Sequence, residues 1–364
     1  MAITVPELAD LTDQQWELHD LPITGRYIIT GGPGSGKTSI AIRRTEAIKL
    51  DNPNAPVLTL LFTNTLNDFF RASVEAIAIF ETTITVWAKW QRNFLIKHGA
   101  WGYNFGDRVP WETLADQILA LPLTKIYDNL IIDEAQDFSV SDLKVMNLIA
   151  DNITVFADEN QQLVDRGVSD IEIIKELLNI EEEDDHHLTE NHRNTKQIMK
   201  AAVSLAPDEI DVKLDEVVRS GQKPRIVALQ SFDHEIDYIA KVVRANKQKD
   251  IGILHMENKV IKRIYEALEI NHSDLTFELM RENDFNWQGS DPKLCTLNSA
   301  KGLEFDIVLM PHMNKENYFS HPMNLKRIYV GMTRAREELH ISYYGHYPTT
   351  YITQIDPSTV QKVC

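Results

Sequence analysis

The first chemical signal is a run of eight residues, Gly31-Gly-Pro-Gly-Ser-Gly-Lys-Thr38, which fits G-x-x-x-x-G-K-[ST]. Glycines at Gly32, Gly34 and Gly36, with Ser35 between them, let backbone N–H groups curl around phosphate oxygens. A helix starting just after such a turn favours an anion at its N-terminus. Lys37 would reach the β- and γ-phosphates of ATP, and Thr38 would ligate Mg2+. A second acidic element, Ile131-Ile-Asp133-Glu134, closes an apolar run about a hundred residues on. Asp133 would hold the Mg2+, directly or through water, and Glu134 would orient and deprotonate an attacking water. Two adjacent acids repel each other without a cation, which is a further pointer to a bound metal.

These groups need a scaffold, and the hydrophobic pattern supplies one. Tyr27–Thr30, Val57–Phe62, Asn129–Ile132 and Ile153–Phe156 are short continuous apolar runs, with helical periods at Lys37–Leu50 and Leu66–Ile79. Such strands between helices predict a parallel sheet covered on both faces. A second series follows, with strands expected at Arg225–Leu229, Ile251–Leu254, Lys293–Leu297, Asp306–Met310 and Glu338–Ser342. Its helices are expected at Asp233–Asn246, Lys259–Glu269 and Asn324–Arg334. The fold class is therefore α/β in two units, 1–190 and 191–364, joined near Glu190–Arg193 after the acidic run Glu181–Asp185. Gly99–Pro110 and Arg281–Pro292 read as loops, and so does the pair His186-His187, whose spacing supports no metal site.

Asp133-Glu-Ala-Gln-Asp137, together with this P-loop, resembles superfamily 1 helicases of the UvrD/Rep type. The resemblance implies two RecA-like domains, each a mostly parallel sheet flanked by helices. It also implies roles for further segments, from about Leu11 to Leu339. In Leu11-Thr-Asp-Gln-Gln15, Gln15 would read adenine. Leu61-Phe62-Thr63-Asn64 resembles a motif that contacts single-stranded DNA, and Thr85 and Trp87 fall along the DNA path, where the family usually has His at 87. A buried core position is the alternative for Trp87 and Trp90. Ala157-Asp-Glu-Asn-Gln161 resembles the next motif, whose Gln161 would link the γ-phosphate to the DNA contacts. Ala157 stands for the usual Gly, and Val164 for an aromatic that stacks on a base.

In the second unit, Leu188-Thr-Glu-Asn-His-Arg193 implies Arg193 as a finger onto the γ-phosphate, with His192 in place of an adenine-stacking Tyr. Thr296-Leu-Asn-Ser-Ala-Lys-Gly-Leu-Glu-Phe305 nearly reproduces T-x-H-x-x-K-G-L-E-F. There Asn298 and Lys301 would serve DNA, and Glu304 would face the ribose. Tyr329-Val-Gly-Met-Thr-Arg-Ala-Arg336 implies Arg334 as the second finger. Only 47 residues lie between Thr85 and Asp133, and 102 between Arg193 and Thr296, so a minimal form without large accessory insertions is expected.

Composition narrows the choice further. The 364 residues carry a net charge of −17. Residues 1–192 hold 14 Lys and Arg against 31 Asp and Glu, whereas residues 193–364 hold 23 of each. This argues against whole-surface attraction to nucleic acid and leaves a local basic groove open. No apolar run reaches membrane-spanning length, and the N-terminus lacks a secretory pattern. Cys295 and Cys364 are the only cysteines, so a reducing cytoplasm is expected.

The expected activity is ATP-dependent translocation on single-stranded or partly duplex DNA, 3′→5′ by resemblance. The rival is an ATP-dependent switch or recruitment subunit that controls a protein partner, such as a nuclease, through the acidic half. A small-molecule kinase would also use the P-loop, but it leaves Ser299–Phe305 and Thr333–Arg336 unexplained. Tyr343, Tyr344, Tyr347 and Tyr351 could stack bases or pack a terminal segment.

Overall fold

The computed structural model describes residues 8–61, 83–104, 106–164, 166–205, 210, 212–280, 289, 291–315 and 322–363. The chain divides into two compact units. One comprises the described residues up to Gly31 together with Gly36–Leu188; the other comprises Thr189–Cys364 together with Gly32–Ser35.

The first unit is built on a six-stranded sheet. Its strands are β1 (Arg26–Gly31), β2 (Val57–Leu61), β3 (Thr83–Val86), β4 (Tyr127–Ile132), β5 (Ala150–Ala157) and β6 (Asp185–Leu188), in the order β3-β2-β4-β5-β1-β6. Every pairing is parallel, with Ile28 opposite Val155 and Leu130 opposite Ile153. The helices are α1 (Asp13–His19), α2 (Lys37–Asp51), α3 (Trp87–Lys97), α4 (Leu114–Leu119), α5 (Val140–Ile149) and α6 (Ile171–Leu178).

The central strands alternate nothing because both faces are covered. Ile28, Leu58, Leu60, Leu130, Ile132 and Val155 join Trp87, Phe94, Leu143 and Ile174 in one buried cluster. Burial of each such side chain contributes about 1.5–3 kcal/mol. Helix starts follow local chemistry. Thr12 and Gln15 cap α1 reciprocally, and Ser139 and Asp142 do the same for α5.

The second unit holds a seven-stranded sheet in the order β11-β12-β10-β13-β14-β9-β15. The strands are β9 (Arg225–Leu229), β10 (Ile251–His255), β11 (Glu278–Leu279), β12 (Lys293–Thr296), β13 (Phe305–Met310), β14 (Ala335–Tyr344) and β15 (Gln361–Val363). These pairings are parallel too. A separate parallel pair joins β7 (Asn191–Thr195) to β8 (Val217–Arg219). The helices are α7 (Lys196–Ser204), α8 (Phe232–Ala245), α9 (Asn258–Asn271), α10 (Pro322–Met332) and α11 (Thr350–Gln354). Ile236, Ile239, Ile253, Ile264, Leu294 and Ile307 form its buried centre. These are the two mostly parallel, helix-flanked sheets expected of the α/β fold class.

His186 and His187 correct the loop expectation. They lie on edge strand β6, opposite Ile29 and Thr30, and Thr30 Oγ1 is 2.8 Å from His187 Nδ1. The neighbouring acids do not merely face water. The Lys175 ammonium donates to Glu182 at 2.5 Å, to Asp185 at 3.1 Å and to Glu172 at 3.1 Å. This partial neutralisation lets the chain re-enter the sheet as a polar strand. Among the described residues, no helix is long and apolar enough to cross a membrane.

Candidate nucleotide site

In the first sheet β4, β5 and β1 are adjacent, so their carboxyl ends lie side by side, the usual place for a site in a parallel sheet. The P-loop leaves β1, Asp133 follows β4 and Asp158 follows β5. Gly34 and Gly36 sit at φ 78° and 98°, left-handed conformations that only glycine adopts without strain. The N-cap of α2 is Gly36, which has no side chain to cap the first turn, so the helix amide dipoles can serve an anion at the loop. Ser35 is buried, and its hydroxyl donates to the Gly32 carbonyl at 3.0 Å.

The charged groups converge beneath the first turn of α2. Lys37 Nζ donates to the Gly31 carbonyl at 2.6 Å and lies 3.6 Å from Asp158 Oδ2. Thr38 Oγ1 donates to Asp133 Oδ2 at 3.1 Å. Asp133, Glu134, Asp158 and Gln161 are all buried, and Gln161 Nε2 donates to Asp158 Oδ2 at 2.5 Å. Burial, then the neighbouring Glu134 carboxyl, pushes the Asp133 acid well above the ordinary carboxylate range, against the pull of Lys37 and Thr38. A divalent cation relieves that cost by stabilising the ionised form, so Thr38 and Asp133 fit Mg2+. Glu134 itself has φ 57° and ψ 45°, a left-handed backbone rare for a residue with a side chain. Gln15 is buried in the α1 capping box, and a Cβ on Gly36 would lie 2.4 Å from its Nε2. The Gln15 amide therefore lies against the P-loop.

In the second unit Arg193 Nε donates to Glu304 Oε2 at 2.9 Å. Burial raises the Glu304 acid, but Arg193 and then Arg336 outweigh it, so the carboxyl sits below its ordinary range. Two asparagines outside the expected set build this turn. Asn191 Oδ1 accepts the N–H groups of Arg193 and Asn194, each at 3.0 Å. Buried Asn194 donates to the carbonyls of Thr333 and Ala335. His192 is half-buried, with Nε2 2.9 Å from Glu190. Arg334 is 1% exposed, and its guanidinium donates to the carbonyls of Val330 at 3.0 Å and Leu303 at 3.3 Å.

The expected DNA-contacting residues belong to both units. Phe62, Thr63 and Asn64 lie outside the described residues. Thr85 is buried on β3. Trp87 is in the core, stacked on Trp90 at 4.8 Å, with its indole N–H donated to Asp142 Oδ1 at 2.6 Å. Asn298 is exposed and Lys301 buried, on a turn in which Ser299 N–H donates to Thr296 Oγ1. Gln136 and Asp137 belong to the Asp133–Asp137 motif that carries the resemblance, but the sequence assigned neither of them a role.

Residues 186–286 and 275–346 match the UvrD-like helicase C-terminal domain family. A Rickettsia conorii protein named "Probable DNA helicase II homolog" is 25% identical over 218 residues, covering 53% of this chain and 31% of its own length. DNA helicase II of Rickettsia typhi is 30% identical over 121 residues, covering 29% of this chain and 18% of its own length. The chain thus spans less than a third of the length of these curated relatives. A crystal structure of the arterivirus nonstructural protein 10 helicase aligns with 91% of this chain and 61% of its own, at 14% identity and a TM-score of 0.41. Over residues 186–346, a little under half of its length, the chain is thus similar to the C-terminal domain of UvrD-like helicases.

Proposed function

We propose that this chain is an ATP-driven motor that moves along single-stranded DNA, 3′→5′, hydrolysing ATP as it steps. The observation that carries the reading is the meeting of buried Lys37, Asp133 and Glu134 with half-buried Thr38 at the ends of β1 and β4, with Thr38 on Asp133 at 3.1 Å. In this reading Lys37 leaves the Gly31 carbonyl for the β- and γ-phosphates. Thr38 and Asp133 hold Mg2+, which supplies charge neutralisation at the phosphates when bound. Glu134 accepts the proton of the attacking water, and Gln161 senses the γ-phosphate. Gln15 and His192 serve the base and Glu304 the ribose.

Arg193 and Arg334 contribute positive charge to the transferring phosphoryl group, a role worth about 10³–10⁵ in rate. For Arg334 this requires exchanging the Val330 and Leu303 carbonyls for a phosphate. Phe62, Thr63, Asn64, Thr85, Asn298 and Lys301 serve the DNA strand in this reading, whereas Trp87 packs the core, and the UvrD-like match supports DNA as the track. The work is done in the cytoplasm.

A second reading draws on the acid surplus of residues 1–192. There the same ATP site acts as a switch that controls a protein partner such as a nuclease. Steady-state ATP turnover with and without oligo-dT separates the two. The motor reading expects strong stimulation by the oligonucleotide. Turnover indifferent to DNA would overturn it in favour of the switch.

A further inference from the structure

Two side chains beside Glu134 enter no step above, yet both are completely buried: Gln136 and Asp137. Gln136 faces two ways. Its Nε2 donates to Glu134 Oε2 at 2.6 Å, and its Oε1 accepts the Asp158 N–H at 3.0 Å. Asp137 Oδ1 accepts the Leu163 N–H at 2.8 Å. Both ends of the segment Asp158–Leu163 therefore hang from the turn that follows β4. Within that segment the Asp158 carboxylate accepts the Asn160 N–H at 3.1 Å and Gln161 Nε2 at 2.5 Å, with Lys37 at 3.6 Å.

The chain then wraps back over the same turn. A Cβ at Gly167 would lie 2.2 Å from the Gln136 carbonyl and 2.9 Å from Asp137 Cα, so only glycine passes there. Val168 N–H donates to the Phe138 carbonyl at 3.0 Å. This packing surrounds the one strained residue of the site. A left-handed backbone such as that of Glu134 costs about 1–3 kcal/mol and persists only where its surroundings hold it.

We propose that Gln136 is a positioning residue. It aims the Glu134 carboxylate and ties it to the segment Asp158–Leu163, so that a shift in that segment moves the base. The carboxamide suits both contacts, because it gives an N–H to a carboxylate while its oxygen accepts a backbone N–H. A carboxylate at 136 keeps the link to Asp158 and loses the donor to Glu134, whereas a thioether of similar length loses both.

The proposal rests on the ATP-hydrolysing reading, and its test separates the two. Turnover is measured for the full chain, the Glu134→Gln control, Gln136→Met and Gln136→Glu, with and without oligo-dT. Rates are taken per nucleotide site, titrated with a fluorescent ATP analogue. Both Gln136 variants should lose on the order of tenfold or more in kcat with KM for ATP unchanged, the mark of an interaction made only at the reacting stage. The factor by which DNA raises turnover should stay at the wild-type value in Gln136→Glu and shrink in Gln136→Met. If Gln136→Met does not fold, the kcat of Gln136→Glu decides. Unchanged kcat per site, or KM rising in step with the loss, would overturn the proposal alone. Wild-type turnover no higher than that of Glu134→Gln would overturn the functional reading and this proposal with it.

Discussion

His255 offers a prediction whose size follows chiefly from burial. The ring is completely buried at the end of β10, and its Nδ1 accepts the Glu257 N–H at 3.1 Å. Burial, and then the nearby His312 ring at 6.0 Å, lowers it from an ordinary 6.5 to about 3. Lys259 pushes the same way, whereas the backbone bonds at Glu257 and His312 oppose the shift. The Glu235 carboxyl also faces this cluster, with Oε2 3.8 Å from His312 Nδ1.

The folded ring therefore stays neutral at pH 5, while the unfolded one takes a proton. The unfolded state binds more protons between about pH 6.5 and pH 3, so stability is full above that window and falls as pH drops through it. At about 1.4 kcal/mol per pH unit, going from pH 6.5 to 5.0 costs about 2 kcal/mol. The perturbation is acidification with and without His255→Asn, whose Oδ1 can still accept the Glu257 N–H. Thermal melts should show the wild type losing about 4–8 °C more than the variant over that interval. Parallel pH curves for the two proteins would refute the reasoning.

Other outcomes follow from single contacts. Trp87→Phe removes the donor to the buried Asp142 and should cost about 1–3 kcal/mol of stability; oligo-dT anisotropy should be unmoved by the core contact itself, and a large loss of affinity at unchanged melting temperature would return Trp87 to the DNA path. Gly36→Ala puts a Cβ into a left-handed turn and 2.4 Å from Gln15 Nε2. Its affinity for a fluorescent ATP analogue should fall at least about tenfold. Burial pushes the Cys295 thiol up to about 12. Iodoacetamide at about pH 8 should leave the Cys295 peptide unmodified in the native protein and label it in urea, as read by mass spectrometry.

Much of the scaffold was legible because burial on two faces writes itself as uninterrupted apolar runs. Strands β1, β4, β5, β10 and β13 fall where such runs lie, within a few residues at their ends. The strands that escaped notice are polar or peripheral. Asp185-His-His-Leu188 pairs as β6 through backbone bonds at a sheet edge, where no apolar face is demanded. Asn191–Thr195 holds its shape through asparagine side chains bonded to backbone, a pattern that Asn in any turn could carry.

The nucleotide site divides the same way. Gly31–Thr38 and Asp133-Glu134 are contiguous, so their chemistry is visible in order and spacing. The tie from Gln136 to Asp158 spans 22 residues and ends on a backbone N–H, which no residue type announces. Arg334 was read as a finger by position, but nothing in its neighbours revealed that two carbonyls occupy it here.

The central claim is that Lys37, Thr38, Asp133 and Glu134 together hydrolyse ATP, with Glu134 as the base. Single-turnover phosphate release from radiolabelled ATP, with Mg2+ and oligo-dT present, tests it most directly in the wild type beside Glu134→Gln. The account expects both proteins to bind the nucleotide and only the wild type to release phosphate at a measurable rate. Equal release by the two, at equal nucleotide occupancy, would contradict it.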